Sequence, residues 1–304
     1  MIHNVVDVES WRTVFPLNQL REAAVRDVLA RRNILPGEYP DQASIDRNIA
    51  LVSPGGERVT GPHDIAVVEQ LRDEVFSHEL RRQRVPTDIF IFNRGEPSRR
   101  EVTKVGGLPY RSTERPWPHS ASSSPMTFIA QFCFVDSQDI VGQLPGDVLL
   151  IFGDPDNLWD NDNLALVFEW VRLGEPGLIP AEAVPQTDWF IEPCFGSIYR
   201  TWDYLDTDEL FVGYQRSYLI PVLEGTKIGG IPRWIQGSED IQGRFICALG
   251  SIDPQLYGQR PFPFINVPDM LDSHEDNYLQ WGDSGSLYIF LDLDGQLRWA
   301  MQYY

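Results

Sequence analysis

Only two lysines occur in this chain of 304 residues, and both sit in the same short motif: Lys104-Val-Gly-Gly-Leu-Pro109 and Lys227-Ile-Gly-Gly-Ile-Pro232. The other 23 basic side chains are arginines. A composition that prefers arginine so strongly has kept a flexible ammonium at two matched places, 123 residues apart. The physical reading is an internal duplication in which a point charge, and not a planar guanidinium, is needed twice. Each motif is followed by a hydrophobic run, Phe128-Ile-Ala-Gln-Phe132 after the first and Phe245-Ile-Cys-Ala-Leu249 after the second.

The glycines of each motif, Gly106 and Gly107 in the first and Gly229 and Gly230 in the second, admit a turn where a side chain would clash. Each lysine is then expected to pair with an acid or with strand-end carbonyls. Two functional readings compete with that structural one. A phosphate cradle would also want lysine beside flexible glycines, but the Walker order is absent. Schiff-base chemistry would require a buried lysine with a lowered pKa.

Hydrophobic residues make up 42% and aromatic ones 12%, so the chain can build a core. The 23 prolines and 24 glycines are spread throughout, which favours many turns and short strands. No apolar stretch approaches 18 residues, and the first residues lack the basic-then-apolar order of a signal peptide. Cys133, Cys194 and Cys247 are too far apart for a metal motif or a disulfide framework, which fits a reducing cytoplasm. The net charge of −19 is uneven. Residues 1–100 balance 14 arginines against 15 acids, whereas residues 101–304 set 11 basic residues against 29 acids. Such a field repels nucleic acid and anionic lipid and would steer a basic protein partner.

Helical spacing is expected over Leu17–Arg32 and again over Asp64–Arg84, the second stopped by Pro86, with the boundary of the helical part between Arg84 and Glu101. Beyond it the texture becomes that of strands: Ile89–Phe92, Val148–Phe152, Leu164–Val171, Tyr218–Val222, Arg244–Leu249, Ser286–Leu291 and Leu297–Tyr303. Asp292-Leu-Asp-Gly295 is expected to turn the last hairpin, with Gly295 at positive φ.

Three further segments bear on chemistry. Gly282-Asp-Ser-Gly-Ser286 has the order of a serine-protease nucleophile segment. None of the five histidines has the matching context, and only 18 residues follow Ser286, so Asp283 or Ser284 capping a tight turn is the better reading. Asp154, Asp156, Asp160 and Asp162 supply hard oxygen ligands at short spacing, although the calcium-loop order fails at Leu158. Trp117, Trp159, Trp234 and Trp281 lie in or beside the motif loops; a core position is expected for Trp281 and a surface one for Trp159.

Over about residues 88–304 the chain resembles the YwqG-like family, a bacterial domain of unknown function. The residues that carry the resemblance are Gly106-Gly-Leu-Pro-Tyr110, Trp117-Pro118, Phe128-Ile-Ala-Gln131, the second lysine motif with Ile235-Gln236, and Trp281-Gly-Asp-Ser-Gly285 followed by Leu287-Tyr-Ile-Phe290. In two places the chain departs from the family pattern. Thr226 stands where a histidine precedes the second lysine, and Ala248 where a glutamine matches Gln131. The resemblance implies a mostly β architecture with a duplicated core, and no established activity.

The expected architecture is α+β: a small helical region over residues 1–87 packed on a mostly antiparallel, internally duplicated β domain over residues 88–304. The expected function is that of a cytoplasmic binding protein, of the kind that neutralises a basic toxin through an acidic face, with no cofactor and no catalytic set. The alternatives are a hydrolase or carbohydrate-active enzyme, or a small-ligand or metal-binding module, with a site between the repeats. The candidate site residues are Lys104, Gly106, Gly107, Gln131, Lys227, Gly229, Gly230, Trp281, Asp283 and Ser284.

Overall fold

Short runs of β-branched and aromatic residues, cut by glycine and proline, have little choice but to pair laterally, and here they pair into a single sheet. A computed structural model of the protein describes residues 84–157, 164–187, 189–204, 222–252 and 278–304. The helices expected over Leu17–Arg32 and Asp64–Arg84 lie outside these residues, apart from Arg84, which opens a strand and does not close a helix. Pro86 likewise sits inside that strand, opposite Trp202.

The strands are β1 (Arg84–Arg94), β2 (Lys104–Val105), β3 (Thr127–Cys133), β4 (Val148–Gly153), β5 (Leu166–Val171), β6 (Cys194–Tyr204), β7 (Lys227–Gly229), β8 (Arg244–Gly250), β9 (Ser286–Leu291) and β10 (Leu297–Gln302). One short helix, α1 (Gln138–Val141), is the only α-helix among the described residues. All strand pairs are antiparallel, in the order β10-β9-β8-β7-β1-β6-β2-β3-β4-β5. The order has the same plan from either end. The run β2-β3-β4-β5 leads outward from β6, and the run β7-β8-β9-β10 leads outward from β1. The two long strands at the centre are therefore crossed: β1, which precedes the first run, pairs with β7, and β6, which precedes the second, pairs with β2.

The two runs match in detail. Lys104 lies opposite Gln131, and Lys227 opposite Ala248. A bulge interrupts β3 between Phe128 and Ala130 and β8 between Phe245 and Cys247. Each bulge sets two successive residues, Ile129 with Ala130 and Ile246 with Cys247, into the same core cluster.

Side-chain alternation divides the sheet into two faces. One face carries a single cluster shared by both runs, with Phe90, Phe132, Ile151, Ile198, Ile228, Leu249, Ile289 and Trp281. The other, outer face carries a separate cluster in each run. Tyr110, Phe128, Leu150 and Phe152 form one, and Ala248, Tyr288 and Phe290 form the other. On the shared face Gly196 is required, because a Cβ there would lie 2.6 Å from the Phe90 ring. The segment around α1 crosses from the first run to the second: Ile140 meets Gly229, and Arg244 donates hydrogen bonds to the carbonyls of Val141 and Gln143. At the central pair, buried Asp88 accepts from Arg200 Nε at 2.8 Å and Nη2 at 2.9 Å and from Ser137 Oγ at 2.6 Å. The Arg200 guanidinium also reaches Asp139, and these carboxylates, Asp88 foremost, hold its pKa up.

Candidate functional site

Each motif lysine leaves its strand on the outer face and ends at a carboxylate supplied by another part of the chain. Lys227 Nζ donates to Asp203 Oδ2 at 2.7 Å, to Leu223 O at 2.8 Å and to Ile231 O at 2.6 Å. Asp203 is in turn held by the N–H groups of Leu223 and Ile231 at 2.8 and 2.9 Å. Both charges are out of water, with Lys227 1% and Asp203 0% exposed. Such a pair persists only when its remaining hydrogen-bonding positions are filled, as they are here. Lys104 Nζ donates to Glu96 Oε2 at 2.9 Å, and Leu108 N–H donates to Glu96 Oε1 at 2.5 Å. The backbone donor is four residues after the lysine in both motifs. Burial pushes the Lys104 ammonium below the ordinary lysine pKa; Glu96 opposes the shift and nearby Arg100 adds to it.

The second glycine of each motif lies against its carboxylate. A Cβ on Gly107 would sit 1.6 Å from Glu96 Oε1, and one on Gly230 2.2 Å from Asp203 Oδ2. Both residues also have positive φ, 69° and 72°, where a side chain is strained. Threonine precedes both lysines and does the same work twice: Thr103 Oγ1 accepts the N–H of Cys133 at 2.9 Å, and Thr226 Oγ1 that of Gly250 at 3.2 Å. Thr226 therefore serves as Thr103 does.

Ala248 finds its compensation one strand away. In the first run buried Gln131 accepts from Tyr110 N–H at 2.8 Å and donates to Arg100 O and Val102 O. In the second, Tyr288, opposite Ala248 on β9, reaches over the small side chain and donates its phenol O–H to Arg233 O. Tyr110 and Arg233 occupy the same place, six residues after their lysines. Burial pushes the Tyr288 phenol up, so it stays a donor. Trp117 and Trp234 each close one outer cluster, with different geometry: Trp117 meets Phe152 edge-on at 5.2 Å, and Trp234 stacks on Phe290 at 6.0 Å. The first loop is further pinned by buried Arg111, which grips Glu169 at 2.8 and 3.1 Å and the carbonyls of Arg115 and Pro116.

The remaining candidates fall elsewhere. Trp281 is buried in the shared core, while Asp283 is exposed. The expected cap does not come from Asp283 or Ser284. Ser251 Oγ accepts Trp281 N–H at 2.8 Å and donates to Gly285 O at 2.9 Å, tying both ends of a turn in which Gly282 and Ser284 have φ of 48° and 64°. His119, the one described histidine, faces Trp117 O from the loop after β2, and Ser284 has no side-chain hydrogen bond among the described residues. Asp154 is turned inward, accepting from Asp156 N–H and Asn157 Nδ2; Asp160, Asp162 and Trp159 lie outside the described residues. Among the described residues no three His, Cys, Asp or Glu side chains are grouped to hold a metal. Burial pushes the Cys133 thiol up to about 12 and Cys247 well above its ordinary value.

Lys104 and Lys227 do not converge. Three inter-strand steps of about 4.8 Å and four residues of about 3.3 Å along the strands separate them, roughly 20 Å in a flat sheet. These features define a β-sheet protein built around two lysine–carboxylate cradles, each under its own loop. Residues 103–163, which begin at Thr103 and include the first cradle's lysine and glycines, match a domain of unknown function (DUF1963). No curated protein matches the chain. Among the described residues no helix is long and apolar enough to cross a membrane.

Proposed function

We propose that this chain is a cytoplasmic binding protein, in which the sheet is a scaffold and acidic loops engage a basic protein partner, of the kind an immunity protein neutralises. The observation that carries the reading is that the Lys227 ammonium is spent inside the fold, on one carboxylate and two carbonyls, as a structural element would be. Among the described residues, exposed carboxylates outnumber exposed arginines: Glu114, Glu182, Asp240, Asp283 and Asp294 face solvent, beside arginines such as Arg99 and Arg172. Exposed carboxylates in excess raise the encounter rate with a cationic surface and make binding salt-dependent. The matched registers, bulges and threonine bonds support an internal duplication with repeats starting near Lys104 and Lys227. The test is capture of a basic protein by the immobilised full chain at low salt, its release at high salt, and loss of capture in a Glu114→Lys, Asp240→Lys, Asp294→Lys variant. If the low-salt column retains nothing, the reading fails.

A further inference from the structure

The two cradles hold their lysines with unequal completeness. In the second, Asp203 is enclosed on β6 and the three ammonium hydrogens each have an acceptor. In the first, the carboxylate belongs to Glu96, whose side chain is 34% exposed on the connection between β1 and β2. Glu96 is the only hydrogen-bond partner of Lys104 Nζ among the described residues. The carbonyl four residues before the lysine, which Lys227 uses as Leu223 O, is Arg100 O in the first cradle, and Gln131 Nε2 occupies it. Among the described residues two hydrogens of the Lys104 ammonium thus have no acceptor, in a site only 1% exposed, a costly arrangement for a buried cation. Its ammonium and the Leu108 N–H together make a two-point grip on a carboxylate, which Glu96 demonstrates with both of its oxygens. Immediately before Glu96, Gly95 has φ 88° and open space around its Cα, so the side chain has a pivot.

We propose that the Lys104 cradle is a binding site for a carboxylate group, filled at rest by the chain's own Glu96 and yielded to an incoming carboxylate when Glu96 turns into solvent. Exchanging one carboxylate for another leaves Lys104 paired at the end of the swap, so no buried charge is stranded. The incoming group also meets the two hydrogens that Glu96 leaves unspent. The Asp203 cradle, enclosed and saturated, does not exchange. This site is independent of the acidic loops assigned to a basic partner.

The composition supplies an unusually clean test, because a chain labelled with nitrogen-15 only in lysine gives two side-chain ammonium signals, one per cradle. The probes are acetate, a short peptide with a free C-terminal carboxylate, and the same peptide amidated, with chloride at matched ionic strength as control. Acetate is expected to move the Lys104 signal saturably and leave Lys227 in place. Glu96→Gln, which removes the resident charge, is expected to bind acetate about tenfold more tightly, the size of one charge-assisted hydrogen bond. A response to the free peptide but not to acetate or the amide supports the site and assigns the carboxylate to a polypeptide. No movement in either protein overturns the proposal, as does equal movement of both signals with chloride. Binding confined to Glu96→Gln also overturns it, because Glu96 then never yields in the native chain. The titration of the unmutated protein does not depend on the variant folding.

Discussion

Replacing Lys227 by methionine keeps the length of the side chain but leaves the Asp203 carboxylate buried without a counter-charge. That substitution is expected to cost about 3–5 kcal/mol in urea unfolding. Lys104→Met should cost less, on the order of 1 kcal/mol, because Glu96 can turn to water and the lysine is already under strain from burial. Lying roughly 20 Å apart by strand geometry, the two should be additive within about 0.5 kcal/mol. Non-additivity would contradict the separation of the cradles. The lysines were visible in the sequence because composition singled them out. Their partners were not, since Glu96 and Asp203 lie 8 and 24 residues away, and nothing in the local pattern distinguishes them from the other acids. The threonine before each lysine is a further repeat legible in the sequence. Thiol reactivity offers a second residue-scale check. With burial raising Cys133 to about 12 and Cys247 further, neither should be alkylated by iodoacetamide in the native protein at mildly alkaline pH.

Elements were legible where hydrophobic periodicity survived and hidden where buried ion pairs interrupted it. The strands β4, β8, β9 and β10 follow their hydrophobic runs within a residue or two. β6 is not legible in the sequence because Arg200 and Asp203 interrupt its alternation, and only the structure shows that each is matched to a charge elsewhere. β2 and β7 are two or three residues long and are the motifs themselves. The exchange of Gln131 for Tyr288 makes an element-scale prediction. Gln131→Ala leaves the Tyr110 N–H and two carbonyls without their partner and should cost about 2–3 kcal/mol, whereas Tyr288→Phe, which strands one carbonyl, should cost about 1 kcal/mol. Equal losses would show that the two side chains do not do corresponding work. The β9–β10 turn provides a pH test. The N–H of Gln296, with Arg298 and the N–H of Asp294, holds the Asp292 carboxyl below the ordinary aspartate pKa. The stabilisation is therefore present at neutral pH and lost as pH falls below about 3.8 through that lowered value. Amide exchange at Asp294 and Gln296 should quicken in that window before the rest of β9 and β10 responds.

For the molecule as a whole, the crossed centre decides what can be cut. A chain ending before β6 lacks the neighbour of β2, and a chain beginning at β6 lacks the neighbour of β7. Expressed separately, residues 84–190 and 191–304 should each fail to give dispersed amide spectra, and mixing them should restore the sheet. Independent folding of either piece would contradict the crossed pairing. The shared core, drawn from both runs on one face, points the same way. The paired motifs mark two short strands, β2 and β7, but the crossing was not legible, because it depends on β6 and on hydrogen bonds between segments far apart in sequence.

The crossing also changes what dilution can do. Were the two runs separate polypeptides, β1 and β6 would be strands traded between partners, and the sheet would exist only above the dissociation constant of the pair. Carried on one chain, the trade becomes intramolecular, with each run holding the other at a fixed and high effective concentration. The sheet can then assemble at any abundance of the protein, and its stability belongs to the single molecule.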